Sequence, residues 1–238
     1  MTPAEDAAAR IRQNLEEIRG RMADAARRSG RPPESVTLVA VTKYVDPPLV
    51  RKLVDAGCRT LGESRPQQLW QKAEQLADLD IQWHLVGHLQ RNKVRRTLPY
   101  IGWLHSADSI PLLEALEHHA SQLNCHLPTL LEVNISGEAS KHGFAPEELP
   151  AVLEALPNYP HVAIRGLMAM ARLQGGPAAA RADFAALREL RDRLKRRFPQ
   201  TVCLDELSMG MSGDFEVAIE EGATMVRIGS ALFEGVRP

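Results

Sequence analysis

Apolar residues follow two alternating rhythms along this chain. From Pro3 to about Ser29, Ile11, Leu15, Ile18 and Met22 recur at helical spacing, and Gly30 supplies a stop. After that, short apolar runs predict strands at 36–42 (VTLVAVT), 59–63 (RTLGE), 82–87 (QWHLVG), 102–106 (GWLHS), 129–135 (TLLEVNI), 162–169 (VAIRGLMA), 204–209 (LDELSM) and 224–229 (TMVRIG). Between them lie amphipathic segments such as PLVRKLVDAG (48–57), PLLEALEHHASQL (111–123), PEELPAVLEAL (146–156) and a long one at 179–198 with Phe184, Leu187, Leu190 and Leu194 on one stripe. Eight strand–helix units in 238 residues predict parallel strands joined by right-handed crossovers. That number fits a closed TIM-type (β/α)8 barrel, with an extra N-terminal helix, better than an open sheet. No linker or composition break divides the chain, and LQGGPAA (173–179) reads as a flexible βα connection. A single domain over 1–238 is expected.

Composition narrows the function classes. Hydrophobic residues make up 44% and charged residues 25%, and the net charge is −1, so no global field recruits nucleic acid or an anionic membrane. The basic runs RNKVRR (91–96) and RLKRRFP (193–199) read as solvated helix faces or helix C-termini. Cys58, Cys125 and Cys203 are far apart and odd in number, which argues against a disulfide framework or a CxxC pair. The charged N-terminus has no apolar core of a signal peptide, and no run approaches a membrane span, so a cytoplasmic protein is expected.

In a barrel of this type, function gathers at the carboxyl ends of the strands. Lys43, Glu63, Ser64, Gly87, His88, Asn134, Ser136, Met168, Met170, the run Ser208–Ser212, Arg227, Gly229 and Ser230 are all expected at or near that rim. SMGMSGDF (208–215) leads into a helical segment, so Ser212 and Gly213 would offer a hydroxyl and free N–H groups at a helix N-terminus, while Gly229 and Ser230 directly follow strand eight. Loops after strands seven and eight commonly hold phosphate in such barrels. Lys43 ends an apolar, β-branched run, where desolvation would disfavour the ammonium and leave a nucleophilic amine able to form a Schiff base. An amine opposite a phosphate cradle suggests a phosphorylated aldehyde, pyridoxal 5′-phosphate (PLP) above others. Arg227, on the same side of strand eight as Gly229, is placed to meet the pyridine nitrogen. No metal site is expected: His84 and His88 lie roughly 13 Å apart on an extended strand, and His118 and His119 diverge on a helix. Met168, Met170, Met209 and Met211 read as barrel lining, and ASKHGF (139–144) as a flap whose Lys141 could attract a phosphate.

Six stretches carry a family likeness: LVAVTK (38–43), WHLVGHLQRNK (83–93), EVNISGEASKHGF (132–144), RGLMAM (165–170), LSMGMSGDFEVAIEEGAT (207–224) and VRIGSALFEG (226–235). With these motifs in this order, the chain resembles the pyridoxal phosphate homeostasis proteins, fold-type III PLP-binding barrels similar to the N-terminal domain of alanine racemase. The resemblance implies Lys43 as the Schiff-base lysine, Ser212, Gly229 and Ser230 as phosphate contacts, and Arg227 as partner of the pyridine nitrogen. It also implies a carrier and regulator of vitamin B6 pools without established turnover, with apo PLP-dependent enzymes as recipients. The family often reads GEN after strand two; here the run is GESR, with Ser64 in the asparagine's place. The alternative is a racemase-like PLP enzyme. Against it, the chain stops soon after strand eight, and Tyr100 and Tyr159 precede strands and so fall on the wrong rim. Tyr44 should point away from Lys43 if strand geometry persists. A monomer is the default expectation.

Overall fold

The computed structural model describes residues 3–138, 141–172, 174–199 and 202–236. Eight parallel strands close into a barrel in chain order: β1 (Thr37–Val41), β2 (Thr60–Glu63), β3 (Gln82–Leu85), β4 (Trp103–Ala107), β5 (Leu127–Glu132), β6 (Val162–Met168), β7 (Glu206–Ser208) and β8 (Met225–Ile228). β8 closes onto β1 with Thr37 opposite Met225 and Ala40 opposite Ile228. Outside run α1 (Pro3–Arg28), α2 (Pro47–Asp55), α3 (Pro66–Gln75), α4 (Val94–Thr97), α5 (Ile110–Gln122), α6 (Leu149–Glu154), α7 (Gly176–Arg197) and α8 (Phe215–Glu220). α1 precedes the first strand, as its pattern predicts, and buries Ile11, Leu15, Ile18 and Met22.

Strand alternation sorts the side chains into two cores. Outward residues such as Ala40, Leu61, Leu85, Leu104, Leu131 and Leu167 pack under the helices in one continuous cluster. Inward residues Val39, Leu130, Met168 and Met225, with Val86 and Trp103 against them, form a separate plug inside the barrel. The basic run at the end of α7 places Lys195, Arg196 and Arg197 in its last turn, where cations meet the negative end of the helix dipole. No helix among the described residues is long and apolar enough to cross a membrane.

Candidate functional site

β1 ends at Val41, and the chain turns at once. Lys43 is exposed at the barrel mouth, so the burial inferred from the apolar run before it is absent. The run is buried because it is a strand; the lysine lies beyond the strand's last residue. Tyr44 takes a left-handed conformation (φ 65°), which breaks the strand alternation and brings its ring centroid to 6.0 Å from the Lys43 ammonium. The tyrosine therefore stays beside the lysine instead of pointing away.

The loops after β7 and β8 do converge on this place. The Ser212 hydroxyl accepts from the backbone N–H of Gly229 at 3.4 Å and of Ala231 at 3.5 Å, tying one loop to the other. α8 begins only at Phe215, because the Asp214 carboxylate turns back to accept from the Met211 N–H at 2.6 Å. Ser212 and Gly213 thus sit in a turn ahead of a short helix rather than at its first residues. The N–H groups of Ser212, Gly213 and Ser230 have no hydrogen-bond partner among the described residues. A Cβ added to Gly229 would stand 3.1 Å from the Val41 carbonyl oxygen, so a glycine lets this loop lie directly against the end of β1. Lys43, Ser212, Gly229 and Ser230 are accordingly on neighbouring loops.

Arg227 points inward from β8 and is buried. It donates to the Ser208 carbonyl at 2.8 Å, the Ser208 hydroxyl at 2.6 Å and the Ala169 carbonyl at 3.0 Å. Those bonds use three of its five N–H groups. Burial lowers its pKa to about 10, with Glu132 and Asp214 opposing the shift, so it is a cation at neutral pH. Ser208 continues the chain inward: its Oγ lies 2.9 Å from His105 Nδ1, and His105 Nε2 lies 2.9 Å from His84 Nδ1. Arginine can only donate, and His105 Nδ1 is the one other partner of the Ser208 hydroxyl among the described residues, so the hydroxyl finds an acceptor for its proton only there. His105 then carries its proton on Nε2 and donates to His84, which is left with an N–H at Nε2. That buried atom has no partner in the structure. Burial holds both imidazoles neutral, His84 at a pKa of about 3 and His105 well below the usual histidine range.

The alanine racemase N-terminal domain model matches residues 8–238. A curated relative from Pseudomonas aeruginosa, named pyridoxal phosphate homeostasis protein, is 44% identical over 226 residues, covering 94% of each chain. The chain belongs to the pyridoxal phosphate homeostasis protein family. Among solved structures, PipY of Synechococcus elongatus with PLP bound superposes with a TM-score of 0.82 at 37% identity, covering 94% of this chain and 99% of PipY. Alanine racemase from Corynebacterium glutamicum, at 18% identity and a TM-score of 0.68, shares the fold over 97% of this chain and 61% of its own.

Several family motifs prove structural in this member. Glu63, expected at the rim, turns outward because its neighbour Gly62 faces the barrel interior. There it pairs with Lys72 of α3 and accepts from the Thr42 hydroxyl at 2.8 Å. Ser64 contributes its backbone: a Cβ on Gly87 would lie 2.3 Å from the Ser64 carbonyl oxygen, so the ends of β2 and β3 touch there. Ser208 belongs to the interior chain and not to the rim. Of the methionines expected to line the barrel, Met168 does so, Met209 packs under the helices, and Met170 and Met211 are exposed, since they lie past the ends of β6 and β7. Lys141 is held by Glu138, the Ser136 hydroxyl (3.0 Å) and the Ala171 carbonyl (3.0 Å), while Ala139 and Ser140 of the expected flap lie outside the described residues. The His84–His105 contact was beyond sequence reasoning, because it depends on which residues two neighbouring strands bring level.

Proposed function

We propose that this chain binds pyridoxal 5′-phosphate at the carboxyl mouth of the barrel, holds it as a Schiff base on Lys43, and acts as a PLP carrier and regulator with no turnover of its own. The observation that carries the reading is the approach of the Gly229 loop to the end of β1, which puts an exposed primary amine beside a small-residue loop pair with uncommitted N–H groups. Such groups suit a phosphate, whose oxygens accept several hydrogen bonds at once. The bound PLP of PipY and the name of the Pseudomonas relative point the same way.

When bound, PLP supplies an electrophilic aldehyde and an electron-withdrawing ring. Exposure lets Lys43 meet that aldehyde from solvent. The two N–H groups that Arg227 has left can donate to a pyridine nitrogen. A permanent donor there requires the nitrogen to be an acceptor, so the ring keeps only part of its electron-withdrawing power, which suits a carrier. Racemisation needs a base on each face of the substrate. Among the described residues, Tyr100 is occupied with Glu74 at 2.8 Å and Tyr159 is buried ahead of β6, which leaves Tyr44 as the one tyrosine at the mouth, on the same turn as Lys43. Apo forms of PLP-dependent enzymes in the cytoplasm are the recipients on this reading, and the carrier works as a monomer.

Borohydride reduction of the PLP-loaded protein followed by peptide mapping tests this. A pyridoxyl adduct on Lys43, lost in Lys43→Ala together with the visible absorbance, is the expected result. An adduct elsewhere, or amino-acid α-hydrogen exchange with deuterium at enzyme-like rates, would refute it.

A further inference from the structure

His88, Asp108 and His142 come from the loops after β3, β4 and β5, and β4 stands diametrically across the closed barrel from β8. One ligand atom from each lies within 4.8 Å of the other two, and they are the one group of this kind among the described residues. His88 Nδ1 is 2.8 Å from Asp108 Oδ2, and His142 Nδ1 is 3.9 Å from the same oxygen. The two imidazole rings stack at 4.5 Å with an interplanar angle of 16°, so both turn the same edge to the carboxylate.

We propose that these three residues form a binding site for one divalent transition-metal ion of the zinc class at the barrel mouth, separate from Lys43 and the phosphate loops. With metal–ligand bonds of about 2.1 Å, tetrahedral ligand atoms stand roughly 3.4 Å apart. The 2.8 and 3.9 Å spacings bracket that distance, and rotation of the two stacked rings about their side-chain bonds would turn both nitrogens toward one ion. Two imidazoles and a carboxylate are a borderline donor set that favours zinc, nickel, copper or cobalt over magnesium or calcium. Three protein ligands leave a fourth position for water or another ligand. The parts are also prepared for a cation. The Asp108 side chain is only 7% exposed, and its other oxygen accepts from the Ser109 hydroxyl at 3.0 Å, which fixes the carboxylate's orientation. A metal ion on His88 Nδ1 would take the place of the hydrogen bond to Asp108, with the imidazole's own N–H on Nε2.

The test is calorimetric titration of untagged, chelator-treated protein with zinc chloride, with cobalt(II) absorption as a second probe of coordination. One ion per chain is expected, with affinity falling in acid, since a protonated imidazole cannot ligate a metal. His142→Ala and Asp108→Asn should each weaken binding at least ~10-fold, and His118→Ala should leave it unchanged. His142 is exposed, so its replacement tests the site without threatening the fold. Absence of binding at millimolar zinc, or wild-type affinity in the His142→Ala and Asp108→Asn variants, would overturn the assignment. Zinc held instead by the cysteines or by a bound cofactor would give that second result.

Discussion

Lys72 donates to the carbonyl oxygen of Thr42 at 2.7 Å, across the peptide bond that leads into Lys43. The same ammonium pairs with Glu63, whose Oε1 also accepts the Thr42 hydroxyl, so a buried ion pair clamps the chain just where β1 ends. Glu63 is fully buried and its Oε2 has no partner, which makes Lys72 its sole cationic compensation among the described residues. Lys72→Met should therefore destabilise the fold by about 3–5 kcal/mol, the usual cost of stranding a buried charge. Adding Glu63→Leu should recover most of the loss, because the pair is then replaced by apolar volume. Urea denaturation of both variants measures this, and a single variant as stable as the double would disprove the clamp.

The loop after β8 can lie against β1 because position 229 has no side chain. Gly229→Val should push that loop off the Val41 carbonyl, which a Cβ would already approach to 3.1 Å. PLP retention on dialysis should fall at least ~10-fold, equivalent to about 1.4 kcal/mol. Ser212→Ala should do less, since its two contacts are long, at 3.4 and 3.5 Å. Equal retention in wild type and Gly229→Val would separate this loop from the cofactor.

The legible part of the chain was whatever one strand or helix decides alone. VTLVAVT and seven similar runs marked the barrel strands, and the small residues around Ser212 and Gly229 marked two loops that the structure brings together. What could not be read depends on neighbours. The exposure of Lys43 follows from a turn one residue after the strand, not from the apolar run before it. The outward turn of Glu63 was in principle available, since a glycine facing the crowded interior at 62 sends 63 to the other side. Its partner Lys72 lies in α3 (PQQLWQKAEQ), where nothing in the sequence ties a lysine to the end of β2. His84–His105–Ser208–Arg227 and His88–Asp108–His142 each join residues from several strands or loops, and only barrel closure brings them together.

Tyr44 offers a test of the turn itself. It is 78% exposed and holds a left-handed conformation that a residue with a Cβ adopts at a cost of roughly 1 kcal/mol. Tyr44→Gly should remove that strain while making the unfolded chain more flexible, so the net change in stability should stay within about 1 kcal/mol. Tyr44→Val should be worse than either, because a β-branched residue fits that region poorly. Thermal unfolding of the three proteins gives the ranking, and a valine variant as stable as the glycine one would exclude the left-handed turn.

Glu132 and the two interior histidines set opposite pH dependences. Burial, reinforced by Asp108, raises the Glu132 carboxyl from 4.5 to about 7. Between those values the folded protein holds a proton that the unfolded chain has lost, so stability falls as pH rises and is lowest from this group above pH 7. The shift corresponds to roughly 3 kcal/mol. His84 is depressed from 6.5 to about 3, and His105 well below 6.5, so below 6.5 the unfolded chain takes up protons that the barrel refuses. Their contribution is lost as pH falls, at about 1.4 kcal/mol per pH unit for each ring. Two histidines outweigh one carboxyl, so these three groups together give a maximum near pH 6.5. Glu132→Gln isolates the carboxyl, because other titrations cancel in the comparison with wild type. The variant should be the more stable protein above pH 7, by up to about 3 kcal/mol, and should lose that advantage steadily as the pH is lowered toward 4.5. Urea midpoints across this range decide it: a difference that does not change with pH would mean that Glu132 is ionised in the folded barrel at neutral pH.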